Sequence, residues 1–264
     1  MGWGINGKNK ADIIMNYSRY ILMSVGLLLL LGCDSGNPKW CFDQGDTTAQ
    51  KFIETSAFNE IIVRQNIQLF LAEGPQQIKI VTAQSLIDEV KVSVQNGVLT
   101  LIDPNRCDLL VASEPTQVFV TAPNITRIRN ASQYEVASID TLRYERLVLV
   151  SDKNEGAQYS IADFRLELEV QGLEIIANNF SNFFLSGKAD RALIGFYGGA
   201  NRFEGEHFKV NDLRVFHRGS NEMIVYPLDR IEGQIVSNGD VIAKNRPEVV
   251  DVEVLFTGRL RFED

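Results

Sequence analysis

After residue 50 nearly every apolar stretch of this chain is short and strand-like. Phe58–Val63, Ile67–Leu71 and Ile78–Val81 are brief apolar runs, the last following a Gly74-Pro75 turn. Val90-Lys-Val-Ser-Val94 alternates with a period of two, and Val98–Ile102 follows it after Asn96-Gly97. Asn-Gly between alternating runs predicts a β-hairpin, because both turn residues tolerate the left-handed backbone that a tight hairpin needs. No convincing amphipathic helix is predicted after residue 50; Ala83–Glu89 is a short, weak candidate.

From about residue 125 a unit recurs: a short apolar strand, a small residue with an amide, then an aromatic or aliphatic residue. The amides fall at Gln133, Gln158, Asn182, Asn201, Asn221 and Asn238, at spacings of 25, 24, 19, 20 and 17. Strands precede them at Leu147–Val150, Leu173–Ile176, Leu193–Phe196, Leu213–Phe216 and Ile231–Val236. A repeat near 20 residues cannot bury its apolar positions alone, whereas stacking repeats buries a continuous core and pairs the backbone groups between neighbours. The expected fold is therefore all-β, a parallel β-helix solenoid with a hairpin-rich N-terminal part. A β-sandwich is the alternative, since short strands with regular turns suit it too. A leucine-rich repeat frame does not recur.

In the solenoid, stacked aromatics would run through Tyr134, Tyr159, Phe183 and Phe203. Asn182, Asn201, Asn221 and Asn238 would form a structural ladder of turns, since asparagine tolerates left-handed backbone and hydrogen-bonds its neighbours. Segment 51–121 would cover one end. At the other, Val249–Phe256 and Arg259–Phe262 would lie across the last repeat, after the break at Arg246-Pro247.

The N-terminal pattern is of another kind. Ile21–Leu31 is uncharged and apolar, Arg19 precedes it, and Leu30-Leu-Gly-Cys33 ends it in the form of a bacterial lipobox. A basic start, an apolar core and a small-residue cleavage site define an export signal. The run falls short of the roughly 20 apolar residues that span a bilayer. Residues 1–32 are expected to be a signal peptide, with translation starting at Met15, and Cys33 to be lipidated. Residues 33–50 would be a lipid-anchored tether and 51–264 the folded domain. A buried core helix over 20–31 is the rival reading, and the polar stretch Asp34–Pro38 argues against it.

The formal charge is −8, and removing residues 1–32, which hold Lys8, Lys10 and Arg19 against Asp12, leaves −10 on Cys33–Asp264. Such a balance disfavours nucleic acid, whose phosphates demand lysine and arginine. Membrane association would rest on the acyl chains. With Cys33 acylated, Cys41 and Cys107 remain; in an oxidising envelope they have one pairing available, against the alternative of two free buried thiols. The two histidines, His207 and His217, form no cluster with cysteine at metal-ligand spacing, so no cofactor is expected.

Ser181-Asn-Phe-Phe-Leu-Ser-Gly187, Gly195-Phe-Tyr197, Arg202-Phe-Glu-Gly205, His217–Val225, Asn245-Arg-Pro247 and Phe256–Leu260 resemble segments of the head GIN domain family of auto-transporter adhesins. The resemblance covers roughly 50–262; the ordered series carries it, as no single motif is specific. It implies a right-handed single-stranded β-helix and a lipoprotein of a Gram-negative envelope. It offers no catalytic residues, and its adhesin label is itself an inference.

Polysaccharide lyases and hydrolases also use β-helices, but their chemistry needs facing carboxylates or an acidic calcium site with a base. Asp240 and Glu232, His217-Arg218, and Lys188, Asp190 and Arg191 are the nearest approach, and they read as solvent-facing turns. The expected function is a non-catalytic adhesin or partner-binding protein, lipid-anchored at the outer membrane, for an envelope glycan or protein. Tyr197, His217 and Arg218 would form its binding surface if they point outward. A polysaccharide-active enzyme and a purely structural envelope protein are the alternatives.

Overall fold

The computed structural model describes residues 47–105, 114–152 and 161–263. The expected signal peptide, Cys33, Cys41, Cys107, most of the tether, and Gln158 and Tyr159 lie outside the described residues. Seventeen strands form in chain order. The first nine are β1 (Thr48–Ile53), β2 (Glu60–Val63), β3 (Ile67–Glu73), β4 (Gln77–Ala83), β5 (Lys91–Gln95), β6 (Val98–Ile102), β7 (Thr116–Ala122), β8 (Arg127–Asn130) and β9 (Val136–Ser138). Then follow β10 (Arg146–Ser151), β11 (Phe164–Ala177), β12 (Asn182–Phe196), β13 (Arg202–His217), β14 (Met223–Ile235), β15 (Val241–Ala243), β16 (Val249–Val254) and β17 (Leu260–Phe262).

All seventeen belong to one hydrogen-bonded sheet, nearly closed and barrel-like, with mixed strand orientation. The described residues contain no helix; of the candidate Ala83–Glu89, Ala83 ends β4 and residues 84–89 hold only turns. Two columns of parallel pairing run through the sheet. In one, β6, β2, β8 and β10 lie side by side, continue through the second halves of β11 to β14, and end at β16. In the other, β7, β3 and β9 continue through the first halves of β11 to β14 and end at β15 and β17. Phe164 pairs with Phe183, Phe183 with Phe203, Phe203 with Met223 and Met223 with Val241, which are steps of 19, 20, 20 and 18 residues.

Three expectations are corrected. The N-terminal part is less hairpin-built than its turns suggested: β5 and β6 form the hairpin, with Asn96 and Gly97 at φ 51° and 78°, but β2, β3, β6 and β7 join the parallel columns. Among the described residues, antiparallel pairing is confined to β1 with β4, β4 with β7 and β5 with β6, β4 lying between β1 and β7. Both columns bury one face of β2, β3 and β6 to β15, and that continuous core outweighs the local turn signals. Val249–Phe256 and Arg259–Phe262 do not cross the end; β16 and β17 extend the columns by one step. The aromatic stack also takes a different path. Phe164 and Phe183 stack at 5.0 Å with planes 6° apart, and Phe183 meets Phe196 at 6.0 Å.

Each long strand changes phase at its middle. Side chains alternate in and out until two or three consecutive residues face outward: Gln171-Gly172, Asp190-Arg191, Asn211-Asp212 and Leu228-Asp229-Arg230. Alternation normally keeps one face buried. Here the phase slip bends the strand, so that each half contributes its own inward row. Leu173, Ile175, Ala192, Ile194, Leu213, Val215 and Ile231 fill one side, and Phe164, Leu166, Phe183, Leu185, Phe203, Phe208 and Val210 the other. Full burial of such a side chain stabilises by about 1.5–3 kcal/mol each.

Candidate functional site

Between the two columns the chain turns through a corner that stacks from step to step. Ala200 N donates to Asn179 O, Ser220 N to Gly199 O, Gly239 N to Gly219 O and Gly258 N to Ser237 O, all within 2.9–3.2 Å. Buried polar side chains line this corner: Asn130, Ser132, Ser151, Asp152, Asn179, Ser181, Asn201 and His217. Most of them bond to one another or to backbone, as buried polar groups generally do, while Asn179 Nδ2 and His217 Nδ1 have no partner among the described residues. Ser151 Oγ and Ser181 Oγ lie 2.6 Å apart, and Arg129 pairs with Asp152 where both side chains are 8% exposed.

The four asparagines take different places. Asn182 opens β12, donates from Nδ2 to Asp163 Oδ1 at 3.0 Å and lies beside Arg202 in register. Asn201 is fully buried; its Oδ1 accepts from Ser181 N at 3.2 Å and its Nδ2 donates to Gly198 O at 2.8 Å. Asn221 Oδ1 accepts from Glu222 N at 3.0 Å, and Asn238 Oδ1 from Ser237 Oγ at 3.1 Å. Asn201→Ala leaves a buried donor and acceptor unmatched and should lower stability by about 1–3 kcal/mol, read as a shift in the urea midpoint at unchanged slope.

Of the three expected surface residues, the structure brings two together and removes the third. His217 is wholly buried, which corrects its expected place on the binding surface. The alternation of β13 points it inward, where its ring meets Phe196 edge-on at 5.7 Å. Its Nε2 lies 2.9 Å from Asn221 O, a carbonyl, so Nε2 carries the proton and Nδ1 is left with no partner among the described residues. Burial pushes its pKa below the usual 6.5, against the opposing pull of Asn221 O and Asp240. The unfolded chain therefore takes up this proton at higher pH than the folded one. The stabilisation is complete above about pH 6.5 and is lost as pH falls toward the depressed folded value. The melting temperature should stay level above neutrality and drop below pH 6.5, and His217→Gln should flatten that drop.

Tyr197 and Arg218 stand one step apart on the same outer corner. Their backbone nitrogens continue the ladder beyond Phe196 and His217, Tyr197 N donating to Ala177 O at 2.7 Å and Arg218 N to Phe196 O at 2.8 Å. Arg218 is exposed, and its side chain has no ion pair among the described residues. Tyr197 is 44% exposed and stacks on Phe216 at 5.2 Å with planes 28° apart. Gly195 makes this possible, because a Cβ there would sit 2.6 Å from Tyr197 Cε2. Sequence reasoning missed Phe216, although its position two residues before Arg218 put it on the outward parity of the strand.

Beside the aromatic pair runs an open groove of about 440 Å³ lined by Arg214, Phe216, Glu232, Gln234, Asp251 and Glu253. A second groove, about 510 Å³, follows the bend past Arg146, Arg191, Arg214 and Arg230. The carboxylates there are held by arginines: Glu174 by Arg146 at 3.1 Å, Glu232 by Arg214, and Asp212 by Arg230 at 3.8 Å. Among the described residues, no group of three or more His, Cys, Asp or Glu could hold a metal ion. No helix among them is long and apolar enough to cross a membrane.

The fold has solved neighbours. A "putative adhesin" from Bacteroides fragilis NCTC 9343 shares 15% identity at a TM-score of 0.72, covering 82% of this chain and 97% of its own. A "putative lipid binding protein" from Parabacteroides distasonis ATCC 8503 shares 13% at 0.58, covering 84% and 98%. A "putative adhesin" from Parabacteroides merdae ATCC 43184 shares 14% at 0.51, with the same coverage. At these identities the likeness is one of fold. No curated protein matches the chain. Residues 57–247 match the family described as "Putative auto-transporter adhesin, head GIN domain", and the chain belongs to that family.

Proposed function

We propose that this protein is a non-catalytic adhesin of the bacterial cell envelope, lipidated on Cys33, which presents the Tyr197–Arg218 corner to an envelope glycan or protein. Membership of the head GIN family is the observation that carries this reading. The lipobox at Leu30–Cys33 supports the anchor, with residues 33–50 as tether. The repeated steps of 17–21 residues from β11 onward in both parallel columns support a right-handed parallel β-helix, a rigid support for a side-facing surface. A disulfide between Cys41 and Cys107 would tie the tether to the folded domain. The arginine-held carboxylates along the bend favour binding over hydrolysis, since a general acid needs its proton free to move.

Whole-cell fractionation tests the anchor. Wild-type protein should stay with outer membranes through a salt wash, and Cys33→Ala should be released. If the alanine variant stays bound, the lipid anchor is wrong. Protease shaving of intact cells tests the adhesin role: loss of the domain and of cell attachment together supports it. Complete protection of the domain in cells that still attach overturns it.

A further inference from the structure

We propose that the Tyr197–Phe216 pair is the floor of a subsite for one pyranose ring of an uncharged glycan. This inference rests on the binding reading above and names its ligand class. A sugar ring has an apolar face of C–H bonds and an edge of hydroxyls. It is recognised by an aromatic surface with both donors and acceptors around it. The structure places all three together. Tyr197 lies against Gly195, stacks on Phe216 and remains 44% exposed. Arg218 follows Tyr197 by one step of the ladder and has donors to spare. In the adjoining groove lie Gln234, Asp251 and Glu253. Glu253 Oε2 accepts from Gln234 Nε2 at 2.9 Å, which leaves most of the carboxylate's lone pairs open to hydroxyls.

Charge chooses between neutral and acidic sugars. Among the groove-lining residues, Arg214 is occupied by Glu232, with its Nε at 2.8 Å from Oε1. Asp251 and Glu253 then leave the groove acidic, and the exposed Arg218 stands at the corner against them. At physiological salt the screening length is about 8 Å, so these neighbours act on a bound uronate while distant charges do not. A carboxylated sugar would be repelled from the groove in which its hydroxyls should bond.

The test uses the full-length chain, purified in detergent, titrated with cellotetraose, mannotetraose and galactotetraose, with tetragalacturonate as the acidic counterpart of the last. At least one neutral oligosaccharide should bind, and tetragalacturonate at least about tenfold more weakly than galactotetraose, the factor that 1.4 kcal/mol gives. Tyr197→Ala and Arg218→Gln should each weaken neutral binding about tenfold. Gly195→Ala should do the same at an unchanged melting temperature, because the three atoms nearest the added methyl all belong to the far end of the Tyr197 side chain, which can swing away. Tetragalacturonate binding as tightly as galactotetraose overturns the choice of a neutral sugar. Neutral binding that survives Tyr197→Ala and Gly195→Ala places the sugar elsewhere and overturns the subsite. If no oligosaccharide binds while attachment of cells is still lost on Tyr197→Ala, the glycan inference fails and the adhesin reading stands. If attachment also survives that change, both fail.

Discussion

Phe183→Ala should lower the stability of the domain by about 3–5 kcal/mol, the usual cost of removing a fully buried phenylalanine. Phe183 is the hub of its layer. Its ring stacks on Phe164 at 5.0 Å and meets Phe196 at 6.0 Å, so truncation opens a cavity in both columns and removes two ring contacts. Each such aromatic pair adds about 0.5–1.5 kcal/mol beyond area burial. The strands on either side are tied in register over most of their length, which limits how far the cavity can collapse. Phe183→Leu keeps most of the volume and should cost far less, about 1.5 kcal/mol or less. Urea melts of the two variants at unchanged slope read the difference. Equal, small losses for both would mean that the layer repacks, and that Phe183 is not its hub.

Much of the architecture is legible in the sequence. The step near 20 residues appears in the amide series, and the register reproduces it because each repeat must bury the same inward positions as its neighbour. The bend within each long strand is legible too. Gln171-Gly172, Asp190-Arg191, Asn211-Asp212 and Asp229-Arg230 are polar pairs recurring at 19, 21 and 18 residues. Each interrupts a period-two pattern, which is what a change of buried face requires. Strand order at the N-terminus was not legible. β2 and β3 lie between the β6–β7 and β8–β9 pairs, so that the chain passes over itself and returns. Local turn chemistry says nothing about such non-local pairing.

For the site, Tyr197 and Arg218 were readable as exposed turn residues, but His217 was not readable as core. A histidine at a corner looks polar in one dimension. Only the parity of β13 turns it inward, against Phe196. Phe216 shows the converse: an aromatic that reads as core, yet stands on the outward parity with Tyr197 stacked on it.

Gly233→Ala should be as damaging as the loss of Phe183, although it adds one methyl and removes nothing. Gly233 sits inside β14 at φ 132°, a conformation L side chains rarely adopt. A Cβ there would lie 1.9 Å from Val215 O, its register partner on β13. Gly187 repeats the arrangement at φ 101°, with its Cβ position 2.1 Å from Leu168 O. The obstacle in both cases is backbone on a paired strand, so relief means breaking the ladder rather than turning a side chain. Backbone strain of about 1–3 kcal/mol and overpacking of similar size together give a loss of about 2–6 kcal/mol. In a domain of this size that corresponds to a fall in melting temperature on the order of 10 °C. Gly172→Ala is the control. Its Cβ position meets only Arg146 Cγ, at an ordinary 3.7 Å, and its φ lies outside the left-handed region. That variant should melt within about 2 °C of wild type, since a change that meets no strain or overlap stays within about 0.5 kcal/mol. If Gly233→Ala and Gly172→Ala melt alike, the close approach of β14 to Val215 is not a feature of the folded protein.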